Sequence, residues 1–168
     1  MTAVASPPDM SKKVVLAVSA LTSFLPSFML SSVNIALPSI QKVYGASAVW
    51  LSWVATSYLL SSGVFLVPSG KMGDIWGRKK ILAVGVWIFV LSSVLGPLMP
   101  NIVLFLCLRA VQGAGGSLML TMSMAILTSV FPAAERGRAL GVNAASIYLG
   151  SSAGPFFGGI IISVFGWP

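Results

Sequence analysis

Histidine is absent from this chain, and cysteine occurs once, as Cys107 within an apolar run. That excludes a disulfide framework and any ordinary zinc site, which draws on clustered Cys and His. Acid is almost as scarce, with Asp9, Asp74 and Glu135 as the only carboxylates. Acid–base catalysis generally needs a His or a positioned carboxylate. No enzyme activity, catalytic residue, metal or cofactor is therefore assigned. Charged residues make up 8% of the 168 positions and apolar ones 57%, where an average soluble domain carries about 25% charge. Such a chain is a membrane protein, with the lipid bilayer as its first partner. Its ten Lys and Arg sit in gaps between oily runs rather than on one soluble face, which argues against nucleic acid as a partner.

Five apolar segments are long enough to cross a bilayer as helices, which takes about 20 residues: 14–38, 49–69, 81–99, 102–130 and 139–166. The fold class is an all-α integral membrane protein, with a cytoplasmic tail over 1–13 and a transmembrane bundle over 14–168. Short loops rich in Lys and Arg stay in the cytoplasm. Lys12 and Lys13, then Lys71, Arg78, Lys79 and Lys80, then Arg136 and Arg138 share one side, while the other receives Lys42 alone. The N-terminus is therefore expected inside the cell membrane and Pro168 outside. Tyr44, Trp50, Trp53 and Trp167 fall near the outer interface, where amphipathic rings prefer to sit. Pro26 and Pro155 interrupt their spans, and each frees a carbonyl that lipid cannot satisfy.

The stretch "GKMGDIWGRKK" holds five charges in eleven positions, Gly70 to Lys80. Gly70 and Gly77 are expected to bracket a tight turn, with Gly77 free to take positive φ. Asp74 lies at the negative pole of its own helix, so it should seek Arg78 or the N-terminus of another helix. In "LCLRAVQGAGG", Arg109, Gln112, Gly113 and Gly116 recur at helical spacing on one polar, small-residue face. Burying Arg109 costs about 2.5–3.5 kcal/mol on insertion scales, so it should face the bundle interior. Gln112, Asn34 or the carbonyl freed by Pro26 are its candidate acceptors. In "GVNAASIYLGSSAGPFFGG", Ser146, Gly150, Gly154 and Gly158 form a groove that lets a helix approach closely.

Together these stretches resemble the signatures of the major facilitator superfamily. Asp74, Gly77, Arg78 and Lys79 match its loop between helices two and three, with Met72 for a Leu and Ile75 for a common base. The resemblance implies a conformational latch, in which Asp74 faces a helix of the other half of a transporter. Arg109, Gln112 and Gly113 are similar to its helix-four signature, whose Arg has been linked to proton transfer. Gly141, Gly150, Gly154, Pro155, Gly158 and Gly159 reproduce the spacing of the helix-five signature of its antiporters. "SSVNIALPSI" resembles the end of helix one in the fourteen-helix drug:proton antiporters of the EmrB/QacA type, with Asn34 and Pro38 matching and Met29 in place of the acid.

The resemblance implies secondary active efflux of drug-like or amphipathic small molecules by alternating access coupled to protons. It covers helices one to five of a fold with twelve or fourteen. The expectation is a truncated N-terminal part whose partners include substrate, protons and an absent C-terminal half. The alternative is a non-transporting membrane subunit that pairs with a separate half through the Ser146 to Gly158 groove.

Overall fold

A computed structural model describes residues 9–165. Lipid offers no partner for backbone N–H and C=O groups, so each apolar run must close its hydrogen bonds within itself as a helix. The helices are α1 (Asp9–Tyr44), α2 (Ala48–Trp76), α3 (Arg78–Leu95), α4 (Ile102–Val130) and α5 (Ala133–Phe165), with one 3-10 turn at Gly96–Leu98. All five are long and apolar enough to cross a membrane. No strand occurs among the described residues.

Helix α4 covers the same residues as the apolar run 102–130, and Asn101 caps its start by accepting from the Leu104 amide at 2.9 Å. The other boundaries move. α1 continues through Pro38 to Tyr44, and its helix starts at Asp9, inside the expected tail. α2 runs seven residues past Ser69 to Trp76, so Gly70 lies in mid-helix rather than at the edge of a turn. α3 starts at Arg78, and its last turn tightens to 3-10 geometry before Met99. α5 starts at Ala133 rather than Ala139. Gly166, Trp167 and Pro168 lie outside the described residues.

Gly77 alone makes the turn between α2 and α3, at φ +94°. Gly45 at φ +58° does the same work between α1 and α2. Both conformations are ones that a Cβ disfavours. Side-chain bonds pin the ends of the bundle. Lys12 Nζ meets Glu135 Oε2 at 2.9 Å at one end. At the other, the Tyr44 hydroxyl donates to the Met99 carbonyl at 3.0 Å.

α4 is the most enclosed helix, with buried residues along nearly its whole length. α1 packs chiefly along α5, while α2 and α3 pack along α4; α4 and α1 touch less, and α4 barely meets α5. Met119, Met122 and Phe89 centre one apolar cluster between α2, α3 and α4, and Ile40, Val54 and Phe105 centre another toward the Tyr44 end. Leu60, Val67, Trp87, Phe156 and Val164 point outward and are exposed, as lipid-facing residues must be in a bundle whose solvent is hydrocarbon.

Polar residues buried between helices act as clamps. Thr22 and Ser123 share a hydroxyl–hydroxyl bond of 2.6 Å between α1 and α4. Ser23 donates to Asn143 Oδ1 at 2.8 Å between α1 and α5. Bonds of this kind in membrane bundles contribute about 0.6 kcal/mol each.

Candidate functional site

Arg109 sits two turns into α4 and is 3% exposed. Its Nε donates to the Val54 carbonyl of α2 at 3.2 Å, and Nη1 donates to Gln112 Oε1 one turn along its own helix. The guanidinium carbon lies 4.8 Å from the centre of the Tyr58 ring, a cation–π contact that gains strength where water is excluded. Gln112 passes the chain onward, with Nε2 donating to Ser93 Oγ at 2.6 Å on α3. Ser93 in turn donates to the Phe89 carbonyl at 2.6 Å. One buried polar string thus ties α2, α4 and α3 together.

Glycine makes this approach possible. A Cβ on Gly113 would strike the Tyr58 carbonyl, and one on Gly116 would lie 2.6 Å from the Tyr58 hydroxyl oxygen and 3.7 Å from Pro26 Cβ. The small face read from the sequence is therefore the bed on which the Tyr58 turn of α2 rests.

Arg109 and Gln112 also line a cavity of about 190 Å³, together with Ser32, Ser92 and Ser93; most of its other walls are apolar, among them Phe28, Met29, Phe105 and Ile162. The four walls come from α1, α3, α4 and α5. Arg109 Nη2 is buried and has no acceptor among the described residues. A guanidinium carries five N–H donors in a fixed fork; the bonds to Val54 and Gln112 use two of them, and both N–H groups of Nη2 are unpaired among the described residues. Met29, at the position where the helix-one pattern carries an acid, lines the same chamber.

Of the predicted acceptors for Arg109, Gln112 is used and Asn34 is not, since Asn34 is exposed on α1. Sequence reasoning missed Tyr58, Val54 and Ser93, which tertiary packing brings in from α2 and α3. It also missed Asn143, although an amide in the middle of span five must find an interior partner, and that signal was available.

The glycine signature of α5 divides in two. Cβ atoms on Gly150, Gly154 and Gly158 would collide with α1 at Phe24, Phe28, Ser31 and Ser32. Gly141 and Gly159 face open space. Pro155 is exposed. Ser31 Oγ donates to the Ser151 carbonyl at 2.7 Å, and Ser32 Oγ to the Gly154 carbonyl at 3.1 Å, so the α1 serines also bind α5 backbone. The groove offered above to a separate half is filled by α1 of the same chain, which removes the main support for the pairing-subunit alternative.

At the α2–α3 turn, Arg78 bridges two helices. Its Nη1 donates to the Ala125 carbonyl of α4 at 2.7 Å, and its Nη2 reaches Asp74 Oδ1 at 3.2 Å. The Asp74 side chain is 69% exposed, so the pair leaves most of the carboxylate uncovered. A Cβ on Gly73 would meet the flexible end of the Met122 side chain. Gly70 is nearly clear of neighbours, and Lys79 is exposed.

Residues 19–168 match the family model described as Major Facilitator Superfamily. Among curated relatives, the chain is 35% identical over 136 residues to Multidrug resistance protein Stp of Mycobacterium tuberculosis (strain CDC 1551 / Oshkosh), covering 80% of this chain and 25% of that protein. It is 32% identical over 157 residues to Riboflavin transporter RibZ of Clostridioides difficile (strain 630), covering 94% and 34%. It is 34% identical over 161 residues to Major facilitator superfamily multidrug transporter mfsC of Aspergillus fumigatus, covering 95% and 31%. The chain thus spans about a quarter to a third of the length of these relatives.

Proposed function

The chain belongs to the major facilitator superfamily, and from that premise we propose that it forms the N-terminal bundle of a secondary transporter exporting amphipathic small molecules by alternating access. Relatives described as multidrug resistance and drug efflux proteins support export as the direction. The observation that carries the reading is the buried Arg109, whose Nη2 is unpaired among the described residues, in the wall of a mostly apolar chamber. A charge held at that depth is costly, and such residues serve substrate or ion pathways. Mostly apolar walls with a few polar groups, Arg109, Gln112 and three serines, suit a ligand that has an oily body and a small polar part.

In this proposal a C-terminal half completes the substrate path at the bilayer midplane, as in carriers built from repeats that rock about a central site. Arg109 and Gln112 set the polar end of the chamber, Gly113 beds the Tyr58 turn beside Arg109, and Asn34 lies exposed on α1. Gly70, Asp74, Gly77, Arg78 and Lys79 form the latch, and the exposed face of Asp74 meets the other half. The α5 glycines, with Pro155, keep α1 and α5 in close register while the halves rock. The carrier lies in the cell membrane with the Lys12 and Glu135 end in the cytoplasm, because eight basic residues gather at that end and Lys42 alone at the other. Export is coupled to proton entry. The described spans hold no carboxylate in their apolar middles, so the coupling carboxylate belongs to the C-terminal half.

The test is dye efflux from energised cells expressing the complete gene. Wild type lowers cellular dye and a protonophore abolishes the effect. Arg109→Ala removes efflux at unchanged expression. Full efflux by Arg109→Ala would remove the site assignment, and absence of efflux for every dye class by the wild type would remove the transporter reading.

A further inference from the structure

A second cleft lies at the α2–α3 turn, at the same end of the bundle as the Lys12–Glu135 pair. It encloses about 410 Å³ between Trp76, the first residues of α3 (Arg78, Lys79 and Lys80) and the end of α4, where Ile126, Ser129 and Val130 line it. No acid lines it. Asp74, one turn before Arg78, is the nearest acid in the sequence, and Arg78 holds it at 3.2 Å while its other arm reaches the Ala125 carbonyl. Lys79 and Lys80 are exposed and have no hydrogen-bond or ion-pair partner among the described residues. Two uncompensated cations therefore stand at a cleft whose third cation is already committed.

Lys80 also heads an apolar stripe. Val84, Trp87, Leu91 and Val94 follow it at steps of four, three, four and three residues, which keeps them on one face of α3, and all four are exposed. Gly85 and Phe89 lie on the other face, against Gly115 and Leu118 of α4. The stripe thus runs from the basic end into the hydrocarbon. From Lys80 to Leu91 the helix rises about 16 Å, close to half of the ~30 Å hydrocarbon thickness and so to the depth of one leaflet. Trp76 is exposed beside the cations, as an interfacial ring should be.

Free cations at the water edge, with an apolar stripe leading inward from one of them, match a molecule with an anionic head and an oily tail. Basic residues just outside a membrane span attract anionic lipid in this way. A dissolved phosphate would meet the cations and leave the stripe unused. A zwitterionic headgroup would bring its own cation to a lining that already holds three. We propose that an anionic phospholipid occupies this cleft, with its phosphate at Lys79 and Lys80, its glycerol beside Trp76 and an acyl chain along Val84, Trp87 and Leu91. The site shares Lys79 with the proposed latch, but its test reads retained lipid and not transport, so it stands or falls apart from the transporter reading.

Native mass spectrometry of the purified full-length protein, offered equal phosphatidylglycerol and phosphatidylcholine, reads retained lipid directly. Wild type is expected to retain phosphatidylglycerol preferentially. Each basic residue near an anionic headgroup is worth about fivefold in affinity, so Lys79→Gln with Lys80→Gln should weaken phosphatidylglycerol about thirtyfold. Lys71→Gln with Arg138→Gln removes equal charge from the same end of the bundle outside this cleft, and should leave retention nearly unchanged. Equal loss in the two double variants would overturn the proposal, because the attraction would then be a diffuse surface effect. Equal retention of the two lipids by wild type, or displacement of phosphatidylglycerol by millimolar inorganic phosphate, would overturn it as well.

Discussion

Replacing Gly154 by alanine tests whether the α1–α5 seam is set by direct backbone contact. The added methyl would stand 2.6 Å from Ser31 Cβ, 2.8 Å from the Phe28 carbonyl oxygen and 3.0 Å from the Ser32 nitrogen. Carbon atoms settle about 3.5–4.0 Å apart, so the helices must separate by about 1 Å. Two of the three obstacles are backbone atoms, and no rotamer change relieves them. Overpacking of this kind costs about 1–3 kcal/mol, which is about 5- to 150-fold in a folding equilibrium. Separation also stretches the bonds from Ser31 to the Ser151 carbonyl and from Ser32 to the Gly154 carbonyl. Gly141→Ala and Gly159→Ala belong to the same sequence signature but meet nothing within 4 Å. They should be neutral, or stabilising by up to about 1 kcal/mol through helix propensity. The assay is unfolding in mixed micelles with increasing SDS, followed by tryptophan fluorescence. Equal midpoints for Gly154→Ala and Gly159→Ala would refute the contact reasoning, since the signature would then act as a whole and not through the seam.

At the α2–α3 turn, Gly77→Ala places a Cβ at φ +94° and should cost about 1–3 kcal/mol in the same SDS titration, although nothing lies within 4 Å of the new methyl. Asp74→Asn should change stability by less than about 1 kcal/mol, because its pair with Arg78 is exposed; a dye-efflux assay of the complete gene should nevertheless show reduced transport if Asp74 latches the halves. Arg109→Lys keeps the charge but loses the fork that serves Val54 and Gln112 together, so it should destabilise by about 1–3 kcal/mol and fail to restore the efflux lost in Arg109→Ala.

Hydropathy locates where lipid ends, and helices do not stop there. That is why span two reads as finished at Ser69 while α2 continues through the charged Lys71–Trp76 turn, and why α5 begins six residues before the apolar run does. Boundaries were legible where a local cap exists, as at Asn101, and where backbone demands glycine, as at Gly77. Gln112 was legible as a partner of Arg109 because a three-residue spacing on a helix is a contact. Tyr58 and Val54 were not, since only the docking of α2 onto Gly113 and Gly116 brings them near. Glycine spacing in α5 announced close approach without naming the neighbour, and α1 supplied it. Asn34 fits its sequence pattern, yet it lies on the open face of α1, while Val33 and Ala36 beside it face the core.

The uneven packing of the five helices has a mechanical outcome. With α5 fastened to α1, and both α2 and α3 fastened to α4, the protein is two stiff blocks joined along a thinner line where α1 crosses α4. The Thr22–Ser123 hydroxyl pair is a rivet on that line. Because the Arg109 chamber takes walls from both blocks, a small slip along the joint must change its width.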